Sequence, residues 1–391
     1  MRRVYLDYNA TTPVDGEVLS AMLPFFADNY GNASSIHSAG QEARSAVESA
    51  RSSVAQLIGA KASEIVFTSG GTEADNLAIF GFVAAFRRER KHVICSPIEH
   101  HAVLNCVEVL EKQGIEVTWL PVSGGGVVDP EDVRRALRPE TILIAVMHAN
   151  NELGTIQPIA EMGRIAYEAN VYFHCDAVQS AGKISIDVNE MKVDFLALSA
   201  HKIYGPKGVG ALYVRENTPL EPLFFGGTHE RDRRPGTENV AGIVGFGRAA
   251  ELARAHLADE SARIGALRDK LEQGIVASVP DARVNGAGAR RTPNTTNITF
   301  PHAEGESLVI ALDLQGVQCS TGAACSSGAI LPSHVLRAIG LPRDDAKCTL
   351  RFSLGRFSTD TDVDYALQMI PGAVERLREI SPTYRKAVPA T

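Results

Sequence analysis

The chain has 391 residues, 45 % of them hydrophobic, and a formal net charge of −7. That is enough apolar material for a large core, and the length predicts two or three domains. The acidic balance without a basic stripe argues against a nucleic-acid partner, and no apolar run reaches the length of a membrane span.

The opening "MRRVYLDYNATTP" has two arginines but no apolar stretch behind them, so no secretory signal is read there. Seven β-rich runs then follow: Glu64–Ser69, His92–Ser96, Glu116–Leu120, Thr141–Met147, Val171–Asp176, Val193–Ser199 and Val209–Val214. Several are continuously apolar, as strands covered on both faces are. Helical periodicity lies between most of them, for example over Thr72–Arg88 and Ile159–Ala169. The alternation predicts an α/β fold with a mostly parallel seven-stranded sheet and helices on both faces. One connection, "AHKIYGPKG", has only nine residues, too few for a parallel crossover. The strand Val209–Val214 is therefore expected to be antiparallel, and its short connection to have a special job.

Beyond Ala241 the pattern changes. A long polar helix is expected over Ala249–Ile275, then the turn-rich "NGAGARRTPN" and isolated strands such as "TNITF" and "CTLRFSL". This reads as a smaller α+β domain, with residues 15–255 in the large domain and 1–14 and 256–391 in the small one. The small domain carries "CSTGAACSSGA", Cys319–Ala329, whose side chains are all too small to fill a core. The other cysteines are Cys95, Cys106, Cys175 and Cys348. There is no C-x-x-C pair and no disulfide framework, which predicts a cytoplasmic protein with reduced thiols.

Ligands of open α/β sheets bind at the carboxyl ends of the strands. After the first run comes "SGGTEADN", where glycines and Thr72 open a helix and could cradle an anion. The second run is followed by "PIEHHAVL" with His100, and the fourth by "HANNELG" with Asn151. The fifth ends in "HCDAVQS" with Asp176 and Gln179, and the sixth in "SAHKIYG" with Ser199, His201 and Lys202. Each residue alone has a bland structural reading as a cap, a core histidine or a surface lysine. Together they put an anion cradle, an imidazole, an amide, a carboxylate and a lysine on one rim. No metal-ligand spacing is present. Pyridoxal phosphate matches the set: a lysine for its aldehyde, a carboxylate for its ring nitrogen, a helix start for its phosphate and an imidazole against its ring.

At these residues the sequence resembles the cysteine desulfurases of the class V aminotransferase superfamily. The resemblance runs over nearly the whole chain, through "YLDYNATTP", "FTSGGTEADN", "HANNELGTIQPI", "HCDAVQSAGK", "LSAHKIYGPKGVG", "RRPGTENVAGIVG", "AACSSG", "LPSHVLRAIG" and "LRFSLGRF". It implies a fold-type I pyridoxal-phosphate-dependent transferase that converts L-cysteine to L-alanine through a ketimine. Lys202 would hold the cofactor as a Schiff base, His100 would stack on its ring, Asp176 would pair with its nitrogen and Gln179 with its phenolic oxygen. Gly71, Thr72, Ser199 and His201 would hold its phosphate. Thr237 would reach the phosphate of a partner subunit, which implies a homodimer. Asn151 would lie near both ring oxygen and substrate. Cys325 would be the nucleophile that carries a persulfide to an iron–sulfur scaffold or another acceptor. The small-residue loop around it is accordingly expected to be mobile. In "CTLRFSL" alternation puts Arg351 on the polar face, and the resemblance assigns it the substrate carboxylate. A structural ion pair at Arg351 is the competing reading. "GTEN" at Gly236–Asn239 looks like the nitrogen-fixation branch. A selenocysteine lyase, another class V aminotransferase and a non-enzymatic sulfur carrier remain the alternatives.

Overall fold

In the computed structural model, which describes residues 2–321, 332–382 and 384, strands form at all seven expected places. They are β1 (Ile65–Thr68), β2 (His92–Cys95), β3 (Glu116–Trp119), β4 (Thr141–Ala145), β5 (Tyr172–Asp176), β6 (Phe195–Ser199) and β7 (Gly210–Val214). They make one sheet in the order β1-β7-β6-β5-β4-β2-β3. β7 runs antiparallel to both β1 and β6, as its short connection requires, and the other pairings are parallel. Cys325 and residues 322–331 around it lie outside the described residues.

Successive sheet residues alternate between two apolar layers. Phe67, Ile144, Phe173, Leu196 and Tyr213 face one, and Val66, Leu143, Phe195, Ala197 and Leu212 face the other. Both layers are covered by helices, which is why the strands read as unbroken apolar runs. A separate core is built from Ile264, Leu271, Ile298, Phe300, Leu308, Leu350 and Phe352. Its antiparallel sheet joins β8 (Arg283–Asn285), β9 (Thr295–Thr299) and β10 (Thr349–Ser353), with β9 in the middle. The N-terminal segment crosses to this part of the molecule: Val4–Tyr5 pairs with Val317–Gln318, and Asp7 bridges to Ser353.

The long helix differs from its expected bounds of Ala249–Ile275. It runs Val240–Ser278, with Asn239 accepting from Gly242 N at 3.1 Å as its cap. Its first turns hold Gly242, Gly245 and Gly247, which are poor helix formers and hide the helix in the sequence. Tertiary packing explains two of them. A Cβ on Gly245 would lie 2.5 Å from Met22 Sδ, and one on Gly247 would lie 2.6 Å from Ala50. Ile243, Phe246 and Ala250 bury into the sheet-side core, whereas Ile264, Leu267, Leu271 and Ile275 bury into the other. The predicted helix Thr72–Arg88 is also modified. It forms over Gly71–Asn76, widens into a π turn at Leu77–Gly81 and ends at Ala85.

The start of β7 lies against the loop that follows β1. A Cβ on Gly210 would stand 2.6 Å from Leu198 O and 2.7 Å from Gly70 Cα. Gly210→Val is expected to cost about 1–3 kcal/mol through overpacking. A urea denaturation series should show the midpoint falling at unchanged slope.

Candidate active site

At the carboxyl ends of the strands opens a cavity of about 230 Å³. Each wall comes from a strand end singled out in the sequence. Gly71 and Thr72 follow β1, and His100 follows β2. Met147 and Asn151 follow β4. Asp176, Val178 and Gln179 come from the end of β5, and Ser199, His201 and Lys202 from the end of β6. Asp75 completes the lining.

The connection "AHKIYGPKG" explains itself here. After β6 the chain makes one tight turn, Ala200–Lys202, closed by Ile203 N and Gly205 N on Ala200 O. That turn presents Lys202 to the cavity. Tyr204 then adopts φ 67°, a left-handed conformation that costs a non-glycine residue of order 1–3 kcal/mol. Its N–H on Thr12 Oγ1 at 2.9 Å and its hydroxyl, which accepts from Arg356 N, hold it there. Lys202 Nζ donates to the carbonyls of Asn9 and Ala10, the latter at 2.8 Å. Burial above all, with help from Arg351, brings its pKa down from 10.5 to about 8.

His100 caps the helix His101–Lys112, its Nδ1 accepting from Ala102 N at 3.1 Å. Burial first, then Lys202, lowers its pKa to about 4. The ring is thus neutral near pH 7, with its proton on Nε2. Asp176 is 5 % exposed, and its Oδ1 accepts from Val178 N at 2.8 Å. It has no ion pair among the described residues, and burial, with Asp75 second, raises its pKa to about 7. A buried carboxylate without a cation calls for one, and a protonated ring nitrogen would serve. At the other end of the cavity, Gly71 starts a helix where a Cβ would stand 2.7 Å from Val178 Cγ2. Its main chain, with Thr72, Ser199 and His201, offers polar groups for an anion. His201 Nδ1 is 3.1 Å from Thr11 Oγ1. Lysine, carboxylate, imidazole and anion cradle thus fit pyridoxal phosphate.

Two expected residues, Thr237 and Arg351, do not line the cavity. Thr237 is exposed, just before the long helix. Arg351 is 5 % exposed on β10, where Nη2 pairs with Asp7 Oδ1 at 2.7 Å and Nη1 donates to Asn151 O at 3.0 Å. The ion pair weighed for it in the sequence is therefore present, yet Nε is buried without a partner. Cys325 lies outside the described residues, but the chain on either side of its loop is anchored. Ser320 exchanges both main-chain hydrogen bonds with Arg351. Ser333 Oγ donates to Glu152 Oε2 at 2.6 Å, and His334 Nε2 lies 2.9 Å from Glu99 O. Both anchors adjoin site residues, Asn151 on one side and His100 on the other.

Sequence reasoning missed Asp7, Asn9, Asp75 and Lys183. Asp75 Oδ1 and His174 Nε2 form a buried pair at 3.0 Å in the cavity wall. His174 and Asp176 share a strand face at spacing two, which was the available signal. Nothing local singles out Asp7 or Asn9, since their partners lie hundreds of residues away.

Residues 4–366 match the aminotransferase class-V family, and the chain belongs to it. A cysteine desulfurase IscS from Dictyoglomus turgidum is 51 % identical over 97 % of both chains. One from Anaeromyxobacter dehalogenans is 52 % identical over 97 % of this chain and 95 % of its own. Among solved structures, a NifS-like protein has a TM-score of 0.90 at 38 % identity, covering 96 % of this chain and 100 % of its own. These findings support the fold and the pyridoxal-phosphate-dependent enzyme expected from the sequence.

Only neutral Lys202 can attack an aldehyde, and its neutral fraction falls tenfold for each pH unit below about 8. The rate at which cofactor-free protein takes up pyridoxal phosphate is expected to rise with pH and level off above about 8. Stopped-flow absorbance across pH 6–9.5, a range of about three and a half units around that pKa, checks this.

Proposed function

We propose that this chain is a cysteine desulfurase that takes sulfur from L-cysteine, releases L-alanine and holds the sulfur as a persulfide on Cys325. The observation that carries this reading is the convergence of Lys202, Asp176, His100 and the Gly71–Thr72 cradle on one cavity, with the anchors of the Cys325 loop beside it. The named relatives support the same reaction.

Bound pyridoxal phosphate supplies an electron-accepting ring next to the substrate α-carbon. Gly71, Thr72, Ser199 and His201 bind its phosphate, and Asp176 holds a proton at its ring nitrogen. Lys202 Nζ takes and returns the substrate α-proton. Arg351 binds the substrate α-carboxylate with N–H groups not engaged by Asp7 and Asn151, since those contacts use two of its five. The Cys325 thiolate attacks the substrate sulfur. The carbon–sulfur bond breaks, the sulfur stays on Cys325, and the electron pair stays with carbon, which is protonated on the way to alanine. The neutral His100 ring, with a proton on Nε2, can donate there. An acceptor thiol, on an iron–sulfur scaffold or another carrier, then takes the terminal sulfur.

Burial raises the pKa of all five described cysteines, which leaves Cys325 as the candidate nucleophile. The same five are free thiols, in keeping with a reducing cytoplasm. A phosphate-binding Thr237 that stands exposed and outside its own chain's cavity would serve a neighbour, so the reading includes a homodimer. Phe224 and Phe225, 53 % and 91 % exposed in the preceding segment, suit a covered face. The division into a large domain, 15–255, and a small one accords with the separate cores.

Cys325→Ala is expected to bring alanine formation from L-cysteine to background while the visible absorption of bound cofactor persists. Lys202→Ala should lose that absorption and lower turnover by at least about 10²-fold. Alkylation after a single turnover, followed by peptide mass analysis, should find the Cys325 peptide heavier by one sulfur. An unmodified Cys325 peptide in active enzyme would sink the mechanism. Light scattering should give twice the 41.9 kDa chain mass.

A further inference from the structure

Lys183 lies beneath the cavity, and its Nζ has no carboxylate partner among the described residues. It donates to Gln179 Oε1 at 2.8 Å and to Asn9 Oδ1 at 3.3 Å. Its own carbonyl accepts from Ser261 Oγ at 2.7 Å, which ties it to the long helix. A half-buried amine held only by neutral acceptors is a costly way to fill space. Methionine would pack there without that cost, so the amine invites a chemical explanation.

The explanation lies in Gln179. An amide has a donor end and an acceptor end of nearly the same shape, and its neighbours decide which faces where. Here both neighbours are unambiguous. Asn9 O can only accept, and it takes Gln179 Nε2 at 3.0 Å. Lys183 Nζ lies between two amide oxygens, Asn9 Oδ1 and Gln179 Oε1, and donates to both. The amide is fixed from both ends, and Nε2 keeps a second hydrogen for the cavity that Gln179 lines. Without Nζ, the buried Oε1 has no donor and turns toward one in the cavity.

We propose that Lys183 is a positioning residue: its Nζ holds the Gln179 amide so that an N–H, not a carbonyl, meets the phenolic oxygen of the cofactor ring. This inference rests on the functional reading above. It also gives Gln179 a preference for a ring oxygen that accepts.

The test compares binding of pyridoxal phosphate with binding of its analogue lacking the ring hydroxyl. The variants are Lys183→Met, Gln179→Leu and the double variant, with thermal melting to check that each is folded. Wild type should prefer the natural cofactor. Lys183→Met should cut that preference by about 3- to 10-fold, the worth of one hydrogen bond. The double variant should be no worse than Gln179→Leu alone, because Lys183 acts through Gln179. The visible band of the holoenzyme should also titrate at a shifted pH in Lys183→Met, a change that loose packing alone does not produce. If Lys183→Met does not fold, Lys183→Leu, which also lacks a donor, carries the same cycle, with the same non-additivity expected. Full preference retained in a Lys183 variant, or losses that add in the double variant, overturns the inference while leaving the functional reading intact. A wild type that binds neither compound with a visible band overturns both.

Discussion

Asn9 is 2 % exposed, and every polar atom it owns is engaged. Its N–H donates to Ser353 Oγ, and its Nδ2 to Asn151 O and Thr295 Oγ1. Its Oδ1 accepts from Lys183 and Asn294, and its carbonyl from Gln179 and Lys202. One residue near the N-terminus, through its main chain and side chain together, thus joins the rim of the seven-stranded sheet to two strands of the smaller one. The buried polar groups around it have few alternatives to water, so the arrangement is all or nothing. Two packed cores could meet at many angles. This network selects the one in which the Lys202 amine, the Gln179 amide and the β10 strand carrying Arg351 come together.

The sheet was legible because its physics is local. Continuously apolar runs of five or so residues with helical periods between them leave little choice of architecture, and nine residues after Ser199 forced β7 to turn back. The rim was legible for a related reason. A parallel sheet delivers every strand's carboxyl end to the same edge, so residues far apart in sequence, such as Thr72, His100, Asp176 and Lys202, needed no contact information to be grouped. What stayed hidden depends on distance in sequence. The Asp7–Arg351 pair spans more than three hundred residues, and the Asp75–His174 pair about a hundred. The glycines that disguise the first turns of the long helix are set by Met22 and Ala50, which no local window contains. The Cys325 loop was read from its small residues together with the family resemblance, and the described residues show its two anchors.

The site separates its charges by depth. Asp176 and Asp75 are shut away from water, and burial holds both above the ordinary carboxylate range. Lys202, close by, is held below the ordinary lysine range by the same burial. Oppositely charged groups that each resist ionisation are poised to exchange protons with a bound partner rather than to neutralise one another. A surface cluster of the same residues would have settled into salt bridges.

The placement of the other thiols has a consequence of its own. Sulfur bound to sulfur is a mobile cargo, and any accessible thiolate nearby can accept it. Cys95, Cys106, Cys175 and Cys319 are buried in apolar layers, and burial keeps their protons on. Cys319 stands only six residues before Cys325, yet it is packed with the smaller core. On the proposed reading, the burial of these four thiols directs the sulfur to Cys325. A protein that handled sulfur with six equally reactive cysteines would scatter it over its own interior; here four of the others are buried and the fifth, Cys348, is half-buried with its proton held on by desolvation, which on the proposed reading confines the traffic to one exit.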